Sequence, residues 1–163
     1  MCLQLKKDFN ELAKKFETNK FDLKTVSQLI ELVRLYKQEL SANSARILLE
    51  VPLNVIKYDV ELKDKETWVN SNREYFSNNI IVEDKDFKKK WRQKFSNDDY
   101  DTQDIFELAK IVSEDFEKYR YSCEYLLRLI EVTIRDDVNL FDDSNFYKSG
   151  KIFSSHIIKA IEV

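Results

Sequence analysis

The sequence predicts an all-α fold, and three observations carry that expectation. The 163 residues include one Gly and one Pro. Sheets and hairpins draw on both for tight turns, because Gly reaches positive φ and Pro presets φ. Helices joined by Asn, Asp and Ser need neither. Apolar residues recur at helical spacing along nearly the whole chain. The pattern also recurs once, at an offset of about 78 residues.

The elements follow in order. Leu5, Phe9, Leu12, Ala13 and Phe16 form a first apolar stripe. Val26, Leu29, Ile30, Val33, Tyr36 and Leu40 form a second, with Asp22 placed to cap it by accepting from unpaired helix amides. Ala45, Leu48, Leu49, Leu53 and Ile56 form a third, interrupted by Pro52, which kinks a helix or opens a new one. Trp68, Asn72, Tyr75, Phe76 and Asn79 mark a fourth, capped near Asp64. Phe87, Trp91 and Phe95 follow Asp84. Ile105, Leu108, Ala109, Val112, Phe116 and Tyr119 follow Asp101. Cys123, Leu126, Leu127, Ile130 and Ile134 come next, and Phe146, Phe153, Ile157 and Ile161 follow Asp142. The β-branched stretches 51–60 and 80–82 favour strand, but each is too isolated to form a sheet by itself.

The two series align beyond their apolar positions. Asp8-Phe9 matches Asp86-Phe87, and Phe21-Asp22 matches Tyr100-Asp101. Val26, Leu29, Leu32 and Val33 match Ile105, Leu108, Ile111 and Val112. Asp59-Val60 and Leu62 match Asp137-Val138 and Leu140, an Asp-Val-x-Leu turn in both copies. Phe76-Ser77 and Ile80-Ile81 match Phe153-Ser154 and Ile157-Ile158. We therefore expect a tandem duplication of a helical unit, residues 1–82 and 83–163, within one compact structural domain. Its copies form either α-solenoid-like stacked helix pairs or two packed four-helix bundles.

Composition sets limits on function. With 43% hydrophobic and 35% charged residues, the chain has neither a disordered nor a membrane-spanning composition. The start (Met1 to Lys7) turns polar too early for a signal peptide. Cys2 and Cys123 are far apart and read as reduced thiols of a cytoplasmic protein. The net charge of −3 gives no generic attraction to nucleic acid.

Catalytic and cofactor chemistry finds little support, and we expect neither an enzyme nor a bound cofactor. His156 is the single histidine, and no Cys or second His completes a zinc set. The turn at 142–145 resembles a calcium loop only faintly. With Gly150 as its sixth position, the ligand positions fall on Asn145, Tyr147 and His156, the wrong residue types. Small helical ribonucleases carry an Arg-x4-His motif; the residue five before His156 is Lys151, so that resemblance ends there. The pairs Asp98-Asp99, Asp136-Asp137 and Asp142-Asp143 fall at helix ends, where Asp caps. Cys123, among Tyr121, Tyr125 and Leu126, reads as a small packing residue.

Binding features remain. Aromatics make up 13% of the chain, and Tyr36, Tyr58, Tyr75, Tyr119, Tyr121 and Tyr125 are candidate partner-binding residues, since tyrosine offers rigid area with a polar tip. The run 85–94 offers an alternative. There Lys88, Lys89, Lys90 and Arg92, interleaved with Trp91, form a candidate nucleic-acid surface. A competing reading turns Phe87, Trp91 and Phe95 to the core and leaves the lysines solvated. The combined expectation is a non-catalytic protein-binding chain, an adaptor or an inhibitor of the immunity type. The acidic balance would suit a basic partner.

Overall fold

A computed structural model describes residues 2–18, 21–63, 85–96, 101–121, 123–141 and 143–162. The helix expected over Trp68–Asn79, with Tyr75, and the stretch 80–82 lie outside these residues. Among the described residues the chain forms nine helices and one two-stranded sheet, so the all-α expectation holds.

The first helix, α1 (Leu3–Glu17), buries Leu5, Phe9, Leu12, Ala13 and Phe16, the predicted stripe. Next comes α2 (Leu23–Leu35), which begins at Asp22. The Asp22 carboxylate accepts from Thr25 N at 3.1 Å, and Asp22 N donates to Thr25 Oγ1 at 3.2 Å. This reciprocal box satisfies two otherwise orphaned amides. Ser41 opens α3 (Ala42–Tyr58) by accepting from Ser44 N at 3.0 Å. Pro52 does not end this helix. Its missing N–H removes one hydrogen bond, and the buried neighbours Val51, Leu53, Val55 and Ile56 hold the last turns against the core.

The second series opens with α4 (Lys85–Ser96) and α5 (Thr102–Glu114). Asp101 caps α5 as Asp22 caps α2, accepting from Gln103 N at 2.9 Å and Asp104 N at 3.3 Å. A one-residue break at Asp115 separates the short α6 (Phe116–Tyr119) from α5. Then come α7 (Glu124–Val132) and one wide turn over Thr133–Asp137. Two further helices, α8 (Asp143–Lys148) and α9 (Gly150–Glu162), complete the described chain.

The Asp-Val-x-Leu segments, read above as turns, are strands. β1 (Val60–Leu62) and β2 (Val138–Leu140) pair antiparallel, with Val60 opposite Leu140, Glu61 opposite Asn139 and Leu62 opposite Val138. Each strand is too short to stand alone, and each is completed by the segment that matches it in sequence.

The helices pack in the same crossed manner. The most extensive packing joins α1 to α9, α3 to α5 and α2 to α7, always across the boundary between residues 1–82 and 83–163. One apolar cluster runs through both parts, from Leu5 and Phe9 to Ile157 and Ile161. At one end, Gly150 starts α9 hard against α1. A Cβ there would lie 2.2 Å from the Phe16 carbonyl oxygen and 2.8 Å from the Phe21 ring. Phe16, Phe21, Phe146 and Phe153 surround this approach, with ring centroids 4.9 to 6.4 Å apart.

Candidate protein-binding surface

The candidate tyrosines divide by environment. Tyr119 is buried in α6 and belongs to the core. Tyr36, at the end of α2, donates its hydroxyl to Asp8 Oδ2 at 2.5 Å and lies against Phe9. That bond pushes the phenol up to about 12, because the neutral hydroxyl is needed as donor beside an anion. Both residues serve the fold. Tyr75 lies outside the described residues, and Tyr125 is placed only by its backbone in α7.

Tyr58 and Tyr121 are 64% and 79% exposed. They do not share one patch. Arg120, the neighbour of Tyr121, donates to the carbonyls of Lys37 at 2.9 Å and Leu40 at 2.6 Å, beside the start of α3. Tyr58 is the last residue of α3, and a helix of this length spans about 25 Å.

Around Tyr58 the structure assembles more than the sequence reading named. Phe141, 65% exposed, donates its backbone N–H to the carbonyl of Asp59 at 2.6 Å. Tyr58 and Phe141 therefore flank one end of the β1–β2 ribbon. A groove of about 640 Å³ continues from there, lined by Leu23 and Lys24 at the start of α2, Glu61 and Lys63 of the first strand and its exit, Arg135, and Val138, Asn139 and Leu140. Asp22 also lines it, but its carboxylate is engaged by Thr25. Arg135 is held by Asp136 at 2.9 Å. Among the described residues neither Lys24 nor Lys63 has an ion-pair partner. Period-two alternation, Val60-x-Leu62 and Val138-x-Leu140, was the sequence signal for this ribbon. It is only three residues long in each copy, which is why it read as a turn.

The basic helix gives a different result. Trp91 is 1% exposed, so its ring packs inward and offers no face to a base. The Lys90 and Lys94 ammonium groups lie 5.3 and 5.2 Å from that ring. Lys94 is also 2.5 Å from Asp104. Lys89 and Lys90 are exposed; the side chains of Lys88 and Arg92 lie outside the description.

Charged groups elsewhere join the two parts. Glu124 on α7 accepts from Arg34 at 2.7 Å and Lys37 at 2.6 Å. Burial alone would raise its pKa, but these two donors outweigh burial and hold it below the usual carboxylate range. Glu131, about two turns further along α7, is pushed upward by burial, and Glu31 adds to that; Arg34, Arg135 and Arg128 offset it only in part. Its Oε2 has no hydrogen-bond partner and stands 3.4 Å from Arg34 Nε.

The residues considered for catalysis are set apart. Cys123 is fully buried, and burial pushes its thiol up to about 11, away from the thiolate that a nucleophile needs. His156 faces Glu50 Oε2 at 3.1 Å, between α9 and α3. Among the described residues no three His, Cys, Asp or Glu side chains are grouped to hold a metal ion, and no helix is long and apolar enough to cross a membrane. Comparison of the chain with protein-family models, with curated proteins and with solved structures gives no match.

Proposed function

We propose that the protein works by binding another protein, as a cytoplasmic adaptor or as an inhibitor of the immunity type that covers its partner's surface, without a catalytic step. The observation that carries this reading is the exposure of Tyr58 and Phe141, two large aromatic side chains at the same end of the ribbon. Exposed aromatics beside polar groups are typical of interface centres. Tyr121 supplies a second, separate contact.

The same proposal includes a tandem duplication of a unit of about 78 residues. Supporting it are the matching caps at Asp22 and Asp101 and the pairing of the two matching strands. Crossed packing of α2 on α7 and α3 on α5 adds to this, because a two-fold relation between copies makes equivalent contacts twice. The copies then share one core rather than stacking as separate bundles.

The test is affinity purification of the tagged protein from its native cell, with and without nuclease, beside Tyr58→Ala and Tyr121→Ala variants. The reading predicts a near-stoichiometric protein partner that survives nuclease and is depleted by at least one variant. Recovery of nucleic acid, with proteins lost on nuclease treatment, would instead favour the exposed Lys89 and Lys90 of α4.

A further inference from the structure

We propose that Glu131 and Arg34 form a proton-sensitive latch between the two parts of the chain, in which proton uptake by Glu131 holds α7 more firmly against α2. The latch is a property of the fold and does not depend on which partner the protein binds.

Glu124 and Glu131 are seven residues apart on α7, so both lie on one stripe of the helix, and both reach Arg34 of α2. The two carboxylates compete for one guanidinium. Glu124 takes Arg34 Nη1 at 2.7 Å and Lys37 at 2.6 Å. Glu131 is left with Arg34 Nε at 3.4 Å and Arg135 Nη1 at 3.8 Å, and neither contact is a hydrogen bond. The Glu131 side chain is 7% exposed, against 38% for Glu124. Water can complete the shell of Glu124 and cannot do so for Glu131, and an under-bonded carboxylate at that depth is costly as the anion.

The charges around Glu131 do not remove that cost. From α2, Arg34 attracts the carboxylate and Glu31 repels it; from the wide turn and from α7, Arg135 and Arg128 attract it. Arg34 is shared with Glu124, and Arg135 is held by Asp136 at 2.9 Å. Helix α5 also packs on α7, but its charged residues Asp104, Glu107, Lys110 and Glu114 are not among the groups that act most strongly on Glu131. Burial, with Glu31 added, outweighs the shared cations, and the closed arrangement favours the neutral acid.

Glu131 therefore binds a proton more tightly when α7 lies against α2 than when the contact opens and water reaches the carboxyl. Linkage gives the closed form extra stability that is present at low pH and lost as pH rises through the raised value. Glu124 acts in the opposite sense, since its pKa is lowered. Its contribution is lost only as pH falls below the ordinary carboxylate range, so between that range and neutrality the two do not cancel.

The test is hydrogen exchange of the full-length protein, followed amide by amide from about pH 8 to about pH 5 and corrected for the intrinsic pH dependence of exchange. It is paired with direct titration of the Glu131 carboxyl through its ¹³C shift. Protection of α2 and α7 amides is expected to rise on acidification, about tenfold for each unit by which closure raises the carboxyl, while amides of α1 and α9 change less. In Glu131→Gln, neutral throughout, the rise is expected to vanish. Glu124→Gln releases Arg34 to Glu131 and is expected to lower the Glu131 titration midpoint; this variant serves if Glu131→Gln disturbs folding. A Glu131 midpoint within the ordinary carboxylate range overturns the proposal, as does a midpoint that Glu124→Gln leaves unmoved. So does a rise in protection that persists in Glu131→Gln, or one that is equal at α1 and α9, which would make the effect one of global stability and not of a latch between α2 and α7.

Discussion

Glu61 and Asn139 lie directly opposite each other across the β1–β2 ladder. They are also the matching residues of the two sequence series, each between the Val and Leu of its Asp-Val-x-Leu segment. The ladder thus pairs the two segments that match in sequence. The contacts of α2 with α7 and of α3 with α5 likewise join the two parts of the chain, and several consequences are open to measurement.

Gly150 is required by close approach. Its virtual Cβ falls 2.2 Å from a backbone oxygen, that of Phe16, and backbone cannot swing aside as a side-chain tip can. Gly150→Ala gains helix propensity, worth at most about 1 kcal/mol, but forces α9 away from α1. Overpacking of this kind costs about 1–3 kcal/mol. The expected net effect is a loss of stability, read as a lower midpoint in urea denaturation. An unchanged or higher midpoint would show that α9 does not start against α1.

The capping residues make a graded series. Asp22 and Asp101 each accept backbone hydrogen bonds at a helix start, so each Ala substitution is expected to destabilise by about 1 kcal/mol. Asp115 precedes α6 without a side-chain cap. Asp115→Ala is expected to leave the denaturation midpoint close to that of the parent.

Much of this was legible beforehand, and the limits have physical causes. Stripes such as Leu5–Phe9–Leu12–Phe16 and caps such as Asp22 and Asp101 are local, so residue spacing reveals them. The pairing of Val60 with Leu140 is not local, because its stability comes from a partner distant in sequence. Tyr36 illustrates the same limit at the candidate site. Its spacing gave no sign that Asp8, on another helix, takes its hydroxyl and removes it from the binding surface. Conversely, Phe141 and Lys63 are unremarkable in sequence and become neighbours of Tyr58 and the groove only through the ladder.

Two carboxylates on α7 are expected to respond to pH in opposite directions. Glu131 has its pKa raised in the fold. The folded state therefore binds more protons than the unfolded one in that window, and this contribution to stability is present at low pH and lost as pH rises through the raised value. Glu131→Gln is expected to stabilise the protein at neutral pH, with the gain disappearing in acid. Glu124 has its pKa lowered, so its contribution is present above the unfolded value and lost as pH falls through the lowered one. Glu124→Gln is expected to destabilise at neutral pH and to matter little in strong acid. Chemical denaturation of both variants across that range reads the two signs; equal signs would contradict the assignment of Glu131 as the buried, under-compensated member.

The crossed pairing of the two parts is the central structural claim, and a disulfide across its midpoint tests it most directly. Hydrogen-bonded antiparallel partners have Cα atoms about 5.5 Å apart, within the range a disulfide spans. Glu61→Cys with Asn139→Cys, in a chain carrying Cys2→Ser and Cys123→Ala, is the variant to make. Under mild oxidation the native protein is expected to form the 61–139 bond intramolecularly and in high yield, identified by peptide mapping, and to unfold at a higher denaturant concentration than its reduced form. Failure to form this bond in the folded protein, or its formation only between molecules, would contradict the account.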